Sequence, residues 1–185
     1  FGTGVQAKSQ VEAILAMKNL EKILVFSRTK ESAKLFCNHI YDTFGIKAST
    51  GNKDSLKEAD VICTATPSKK PLFDHGDLNL GVHINAIGSF KPHMQEIPVE
   101  TVINSKVIVD NRETCKIEAG DLIIPTEKGK WSFNLIHGEL GQVVLGEIPG
   151  RETDDEITLF KSVGNAIQDL ALANLIMEKI NHDRN

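Results

Sequence analysis

The chain has 185 residues, a net charge of −4 at pH 7, a hydrophobic fraction of 41% and a charged fraction of 25%, the proportions of a globular chain able to bury the core of about one domain. Its basic residues are scattered, with no run longer than Lys69-Lys70, so it offers no cationic stripe for nucleic-acid phosphates. No apolar run approaches the ~20 residues that a membrane-spanning helix needs.

The sequence opens on Phe1-Gly2-Thr3-Gly4-Val5-Gln6-Ala7, a G-x-G-x-x-A pattern. In a dinucleotide-binding βαβ unit this turn joins the first strand to the first helix. The first glycine allows the bend, the second lets backbone amides approach a pyrophosphate, and the small third residue lets the helix pack close to the sheet. No strand precedes the turn, so the sequence reads as the cofactor-binding part of a longer enzyme whose first strand and N-terminal domain lie outside it. A sheet interior left unpaired is the expected consequence.

Val11, Ile14, Leu15 and the stem of Lys18 recur at helical spacing and predict a helix over 5–19. The run 22–26 predicts a strand covered on both faces. Thr29 is placed to cap a helix running to about Phe44, which Gly45 stops, and 46–50 read as the next strand. Further strands are expected over 61–66, ended by Pro67, over 82–87, ended by Gly88-Ser89, and over 106–110. Residues 111–119 read as a helix, followed by an irregular stretch containing Gly129, Trp131 and Gly138. The segment 156–162 alternates polar with apolar like a strand. A last helix runs from Gly164 to about Ile180, with Ile167, Leu170, Leu172, Leu175, Ile176 and Ile180 spread around most of its circumference, as in a helix buried on two sides. Strands alternating with helices predict an α/β fold, a Rossmann-type doubly wound parallel sheet. Residues 1–140 are expected to form the NAD(P)-binding domain, and 141–185 to finish it and return to the missing N-terminal domain.

Cys37, Cys63 and Cys115 are odd in number and widely spaced, which suits a reducing cytoplasm better than a disulfide scaffold. The six histidines show no metal-ligand spacing, so no metal site is expected. As acid–base groups His83 and His93 are poor candidates, one lying in an apolar run and the other in a loop.

Ribose selection in such folds falls about 20 residues after the glycine turn, where an Asp or Glu binds the 2′-hydroxyl of NAD. This chain has Ser27, Arg28 and Thr29 there. A guanidinium and two hydroxyls suit a 2′-phosphate, which a carboxylate would repel, so NADP(H) is favoured over NAD(H). The plainer reading of Arg28 is a solvated charge before a helix. Thr64-Ala65-Thr66-Pro67 and Asn85-Ala86-Ile87-Gly88-Ser89 end two strands at the carboxyl edge, where ligands of these sheets lie. Either they line the cofactor path or they only terminate strands, and Gly88 would serve a close backbone approach.

The opening turn, Asn85-Ala86-Ile87-Gly88-Ser89-Phe90-Lys91-Pro92-His93-Met94-Gln95-Glu96-Ile97, Gly138-Glu139-Leu140-Gly141, and 156–164 leading into Gln168-Asp169-Leu170-Ala171 together resemble the ornithine cyclodeaminase/mu-crystallin family. Their order and spacing match over essentially the whole sequence. The resemblance implies a homodimer of two-domain subunits, whose N-terminal domain makes the dimer contact and holds the substrate carboxylate with basic groups. It also implies hydride exchange between a nicotinamide and an amine or imine carbon, or a site kept for binding alone. Gly2, Thr3, Gly4, Val5 and Gln6 would then meet the pyrophosphate side of the cofactor. Ser27, Arg28 and Thr29 would meet the adenosine ribose and its phosphate, with Thr66 along the same path. Ile87, Ser162 and Val163 would lie near the nicotinamide, and Glu139 and Gly164 would approach the substrate. Read without the family, Glu139 is a helix-surface carboxylate.

Two departures matter. The family's cyclodeaminases and alanine dehydrogenases carry a proton-transferring Asp where this chain has Phe90, and a lysine that contacts the cofactor in some members falls on Met94. A phenyl ring cannot transfer a proton, so no catalytic residue is assigned. The resemblance thus implies an NADP(H)-dependent oxidoreductase acting on a small amino acid or its imine, of the amino-acid dehydrogenase or ketimine reductase type. The alternatives are an ornithine cyclodeaminase that uses Glu139 as a substitute acid to make proline and ammonia, and an NADP-regulated ligand-binding protein without turnover.

Overall fold

A computed structural model describes residues 1–182. In chain order the elements are α1 (Val5–Met17), β1 (Ile23–Val25), α2 (Lys30–Phe44), β2 (Ala48–Thr50), β3 (Val61–Thr64), β4 (His83–Ala86), α3 (Val99–Ile103), β5 (Lys106–Val109), α4 (Arg112–Glu118), α5 (Gly120–Glu127), β6 (Gly138–Glu139), α6 (Leu140–Val144), β7 (Thr158–Lys161) and α7 (Ala166–His182). Every strand pair is parallel. β1 pairs with β2, and a five-stranded sheet has the order β3-β4-β7-β5-β6.

Phe1 and Gly2 tie the two sheets together. The Phe1 nitrogen donates to Cys63 O at 2.7 Å and its carbonyl accepts from Ala65 N at 2.9 Å, both on the β3 side. On the other side Gly2 N donates to Phe26 O at 2.9 Å. Towards the amino ends of β1 and β3 the sheets part around an apolar cleft of about 490 Å³, lined among others by Val11, Ile14, Leu24 and Ile62. β1 is therefore only partly covered, with Ile23 and Leu24 half-buried and Val25 buried, rather than enclosed on both faces as its apolar run suggested.

The core lies where the central strands meet the segments that cover them. Ile84, Ala86, Val107, Val109 and Leu159 are at most 1% exposed and pack with Ile97, Val102, Leu122 and Trp131. On the opposite face His83, Asn85, Ile87, Lys106, Ile108 and Phe160 are half-buried, and they share a cavity of about 520 Å³ with Leu140 and Val143 of α6.

Two parts differ from the sequence reading. α5 occupies part of the stretch read as irregular, because Gly120 and Pro125 argue against a helix on propensity alone. No α-helix joins β3 to β4, only a turn of 3₁₀-helix at His75–Asp77, so strands and helices do not alternate throughout. Within this chain the apolar residues of α7 are exposed, Ile167 at 66% and Ile180 at 39%, so the cover that their distribution calls for does not come from the described residues.

Candidate functional site

The parallel strands bring the candidate residues to one carboxyl edge, in the lateral order Ser27–Thr29 (after β1), the Gly2–Gln6 turn, Thr66 (after β3), Ile87 (after β4), Ser162–Gly164 (after β7) and Glu139 (on β6). Four spacings of about 4.8 Å separate β1 from β7 across Phe1, β3 and β4, roughly 19 Å in all. An extended dinucleotide laid across the edge has this scale.

At the turn Gly2 has φ +101°, and a Cβ there would collide with the Ala65 carbonyl; only glycine satisfies both demands. Gly4 is the N-cap of α1 and has open space where a side chain would stand. Among the described residues no side chain caps α1, and its first turn carries no acidic residue, so its leading amides remain available to an anion. Thr3 is half-buried, and Val5 and Gln6 are exposed. These features fit a dinucleotide pyrophosphate.

At the end of β1, Ser27 is half-buried and Arg28 exposed. Among the described residues Arg28 forms no ion pair. The Thr29 hydroxyl is already committed: it caps α2 by accepting from Ser32 N at 3.2 Å and donates to Ser32 Oγ at 2.8 Å. Arg28 is the one cation of the three.

Thr66 is held from beneath by Glu96, whose Oε1 accepts from both Thr66 N and Thr66 Oγ1 at 2.7 Å, while Oε2 accepts from Thr64 Oγ1 at 3.0 Å. Its hydroxyl is therefore oriented into the protein. Gly88 lies against this group: a Cβ there would collide with the Thr66 backbone and sit 2.6 Å from Glu96 Oε1. The Glu96 backbone is fixed in turn by Asp121, whose Oδ1 accepts from Glu96 N at 2.7 Å and Ile97 N at 2.9 Å. Lys161 Nζ stands 3.2 Å from Asp121 Oδ2 and donates to Ala86 O at 3.1 Å. Glu96, Asp121 and Lys161 are all fully buried. Burial pushes the Glu96 carboxyl up, with the Asp121 charge adding to the rise and the Thr66 donors opposing it.

The Ser162–Gly164 turn is anchored to Asp110, just beyond β5. Asp110 Oδ2 accepts from Ser162 Oγ at 2.7 Å, Val163 N at 3.0 Å and Gly164 N at 2.9 Å. Its Oδ1 accepts from Asn111 N at 2.8 Å and from Cys115 Sγ at 3.4 Å. Burial, followed by the Asp110 charge, pushes the Cys115 thiol up to about 12, so it is inert at neutral pH. Glu139 is half-buried, and its Oε1 accepts from Arg112 N at 2.8 Å, an anchor at the start of α4 rather than a free surface carboxylate.

Phe90 is 45% exposed, with Lys91 Nζ 5.7 Å from its ring centroid. Met94 is buried, and its carbonyl accepts from Ser89 Oγ at 2.9 Å. His93 is exposed. His83 lies on the half-covered sheet face, with Nδ1 2.7 Å from Thr158 Oγ1 and Nε2 3.1 Å from Asn85 Oδ1; burial lowers its pKa. Glu96, Asp110, Asp121 and Lys161 escape sequence reasoning because nothing local marks a charged residue as buried. The one available signal is position, and it is confined to Lys161, which directly precedes Ser162.

The chain is 44% identical over 182 residues to the Delta(1)-pyrroline-2-carboxylate reductase of Bacillus thuringiensis subsp. konkukian, covering 97% of this chain and 56% of that one. It superposes with a TM-score of 0.92 and 37% identity on Thermococcus litoralis Delta(1)-pyrroline-2-carboxylate reductase in complex with NADH and L-proline, covering 98% of this chain and 57% of that one. An archaeal alanine dehydrogenase dimer with bound NAD also gives 0.92, at 35% identity, covering 100% and 57%. The chain thus spans about half the length of the curated relatives it matches. With the family model matching residues 1–184, the chain belongs to the ornithine cyclodeaminase/mu-crystallin family.

Proposed function

We propose that this chain carries the nicotinamide-cofactor site of an NADP(H)-dependent oxidoreductase that exchanges a hydride with a small amino acid or its imine, as a ketimine reductase or amino-acid dehydrogenase does. The observation that carries the reading is the uncapped, acid-free start of α1 beside a bend that only glycine can make, between Ser27–Thr29 and Thr66 in a line of candidate contacts along a parallel sheet edge. Relatives whose names state pyrroline-2-carboxylate reduction and alanine dehydrogenation support the chemistry. When bound, the nicotinamide supplies the redox chemistry, and the protein orients the reacting carbon. The amides at the start of α1 bind the pyrophosphate, Arg28 meets the 2′-phosphate, and the Ile87 and Ser162–Gly164 segments shape the nicotinamide and substrate end.

The preference for NADP(H) rests on Arg28, exposed and outside any ion pair among the described residues, where an NAD-selective site carries a carboxylate. Relatives solved with NADH or NAD support only the wider nicotinamide class. A homodimer follows from the same reading, supported by the dimeric alanine dehydrogenase and by the exposed apolar side chains of α7. Three unpaired cysteines suit a cytoplasmic setting.

Ornithine cyclisation is the weaker reading. Phe90 offers no proton, and Glu139, the substitute acid, is tied to the Arg112 amide. Cofactor-oxidation assays with cyclic imines, with pyruvate plus amines and with ornithine discriminate the readings. NADPH consumption with an imine or keto acid is expected. Proline formed from ornithine without net cofactor change would favour the cyclodeaminase, and tight NADPH binding with no turnover would favour a binding protein. Failure to bind either reduced coenzyme overturns the proposal.

A further inference from the structure

Residues 162–164 lie beyond β7 and before α7, where the last ladder bond is Ser162 N to Ala86 O at 3.2 Å. Gly164 has φ +91° and is exposed. Such a segment has little intrinsic reason to hold one shape. Here its shape is imposed from the neighbouring strand. β5 pairs with β7 so that Val109 lies opposite Lys161, which brings the next residue, Asp110, level with Ser162. One oxygen of that carboxylate then accepts from the Ser162 hydroxyl and the Val163 and Gly164 amides, at 2.7–3.0 Å. The other accepts from Asn111 N and Cys115 Sγ, which ties Asp110 itself to the start of α4.

We propose that Asp110 is the positioning residue for the nicotinamide- and substrate-facing turn Ser162–Gly164, setting where that turn meets the reacting end of the cofactor. The inference rests on the functional reading above. Asp110 need touch neither cofactor nor substrate. It turns the Val163 and Gly164 amides inward, so the surface left to the ligand is the outer side of the turn. Five donors converge on its two oxygens, and only a carboxylate accepts on both sides. An asparagine must direct its NH₂ group at two donors or at three, whichever way the amide is flipped. Asp110→Asn is therefore a sharp perturbation despite its nearly equal volume.

The test compares the protein with its Asp110→Asn variant in three readouts. Amide hydrogen exchange without cofactor should show Val163 and Gly164 protected in the unaltered protein and exposed to exchange in the variant. Titration with NADPH should weaken in the variant roughly tenfold or more. Adenosine 2′,5′-bisphosphate, which occupies only the adenosine end, should bind both proteins equally. Where turnover is measurable, kcat should fall roughly 100-fold, the cost of misplacing a reacting group by about 1 Å. Equal NADPH affinity and equal exchange in both proteins overturn the inference while leaving the functional reading intact. An unaltered protein that binds no NADPH overturns that reading, and with it the inference. If the variant fails to fold, the unaltered protein still decides: Val163 and Gly164 amides exchanging at open-chain rates would refute the anchor. A parallel loss of affinity for adenosine 2′,5′-bisphosphate would make Asp110 a general structural support instead.

Discussion

Lys161→Met asks whether the buried charges beneath the sheet edge act as one unit. Lys161 has no exposed side-chain surface and neither has Asp121, to whose Oδ2 its ammonium lies at 3.2 Å. That oxygen has no hydrogen-bond partner among the described residues, so the ion pair is its whole compensation for leaving water. Ala86 O, the second partner of Lys161, also accepts from Ser162 N at 3.2 Å and stays satisfied without it. Methionine fills much the same volume, so the perturbation is electrostatic, and its cost falls on Asp121. Removing one member of a buried pair costs about 3–5 kcal/mol, because the remaining charge is left uncompensated. At about 2–4 °C per kcal/mol for a chain of this size, the midpoint of thermal unfolding should fall by about 6–20 °C. Asp121→Asn removes the stranded charge yet keeps an oxygen for the Glu96 and Ile97 amides. The double variant Lys161→Met/Asp121→Asn should therefore be more stable than the sum of the two single losses predicts, by at least about 1 kcal/mol. Thermal and urea unfolding followed by circular dichroism measure all four corners of the cycle. A Lys161→Met loss under about 1 kcal/mol, or additivity within about 0.5 kcal/mol, would refute the view that this pair is a coupled buried unit.

Arg28→Ala should weaken NADPH binding by tenfold or more while changing NADH binding little, the energy of about one charge-assisted contact to phosphate; equal losses measured by fluorescence titration would remove the argument for NADP(H). Glu96 has its folded-state pKa raised by burial from the ordinary 4.5. The folded state therefore holds this proton more tightly, and Glu96 makes stability fall as pH rises from about 4.5 towards the folded value. Glu96→Gln should flatten that part of the pH–stability curve, and an unchanged slope would count against it. All three thiols are free, with pKa values raised chiefly by burial. A disulfide reagent at pH 7 should therefore react slowly with the native protein, at half-buried Cys63 first, and reach three equivalents on denaturation; rapid native modification of Cys115 would contradict its placement.

Local order was legible wherever one signal dominated. Thr29 and Gly45 mark the two ends of α2 because an N-cap hydroxyl and a left-handed glycine, here at φ +70°, are local requirements. β4 and β5 were visible as apolar runs, though each is a residue or two shorter than its run. α5 was hidden because tertiary need overrides propensity: a side chain at 120 would collide with the Met94 carbonyl, so glycine begins a helix there. β7 reads as an alternating strand with one wet face, yet it is the middle strand of the five, and Thr158 and Lys161 are both buried. The bend of the G-x-G-x-x-A turn was readable because its demand is written in backbone freedom, met at Gly2 by φ +101°. The supports were not, since Glu96 and Asp110 look in sequence like any solvated carboxylates.

These supports share one design. Glu96 fixes Thr66, Asp121 fixes the Glu96 backbone, and Asp110 fixes the 162–164 turn, each by accepting donors that loop segments would otherwise spend on water. Loop position along the edge is then set by strand register, because each carboxylate stands in or beside an element packed on the sheet. Phe90 lies outside this frame: its ring is half exposed, and no hydrogen bond of its own ties it to the buried carboxylates. A change at such a position leaves this frame of carboxylates in place. Exchanging an acid for a phenyl ring there breaks none of the hydrogen bonds that hold the edge, and on the proposed reading the group presented at this position decides which reaction the edge serves.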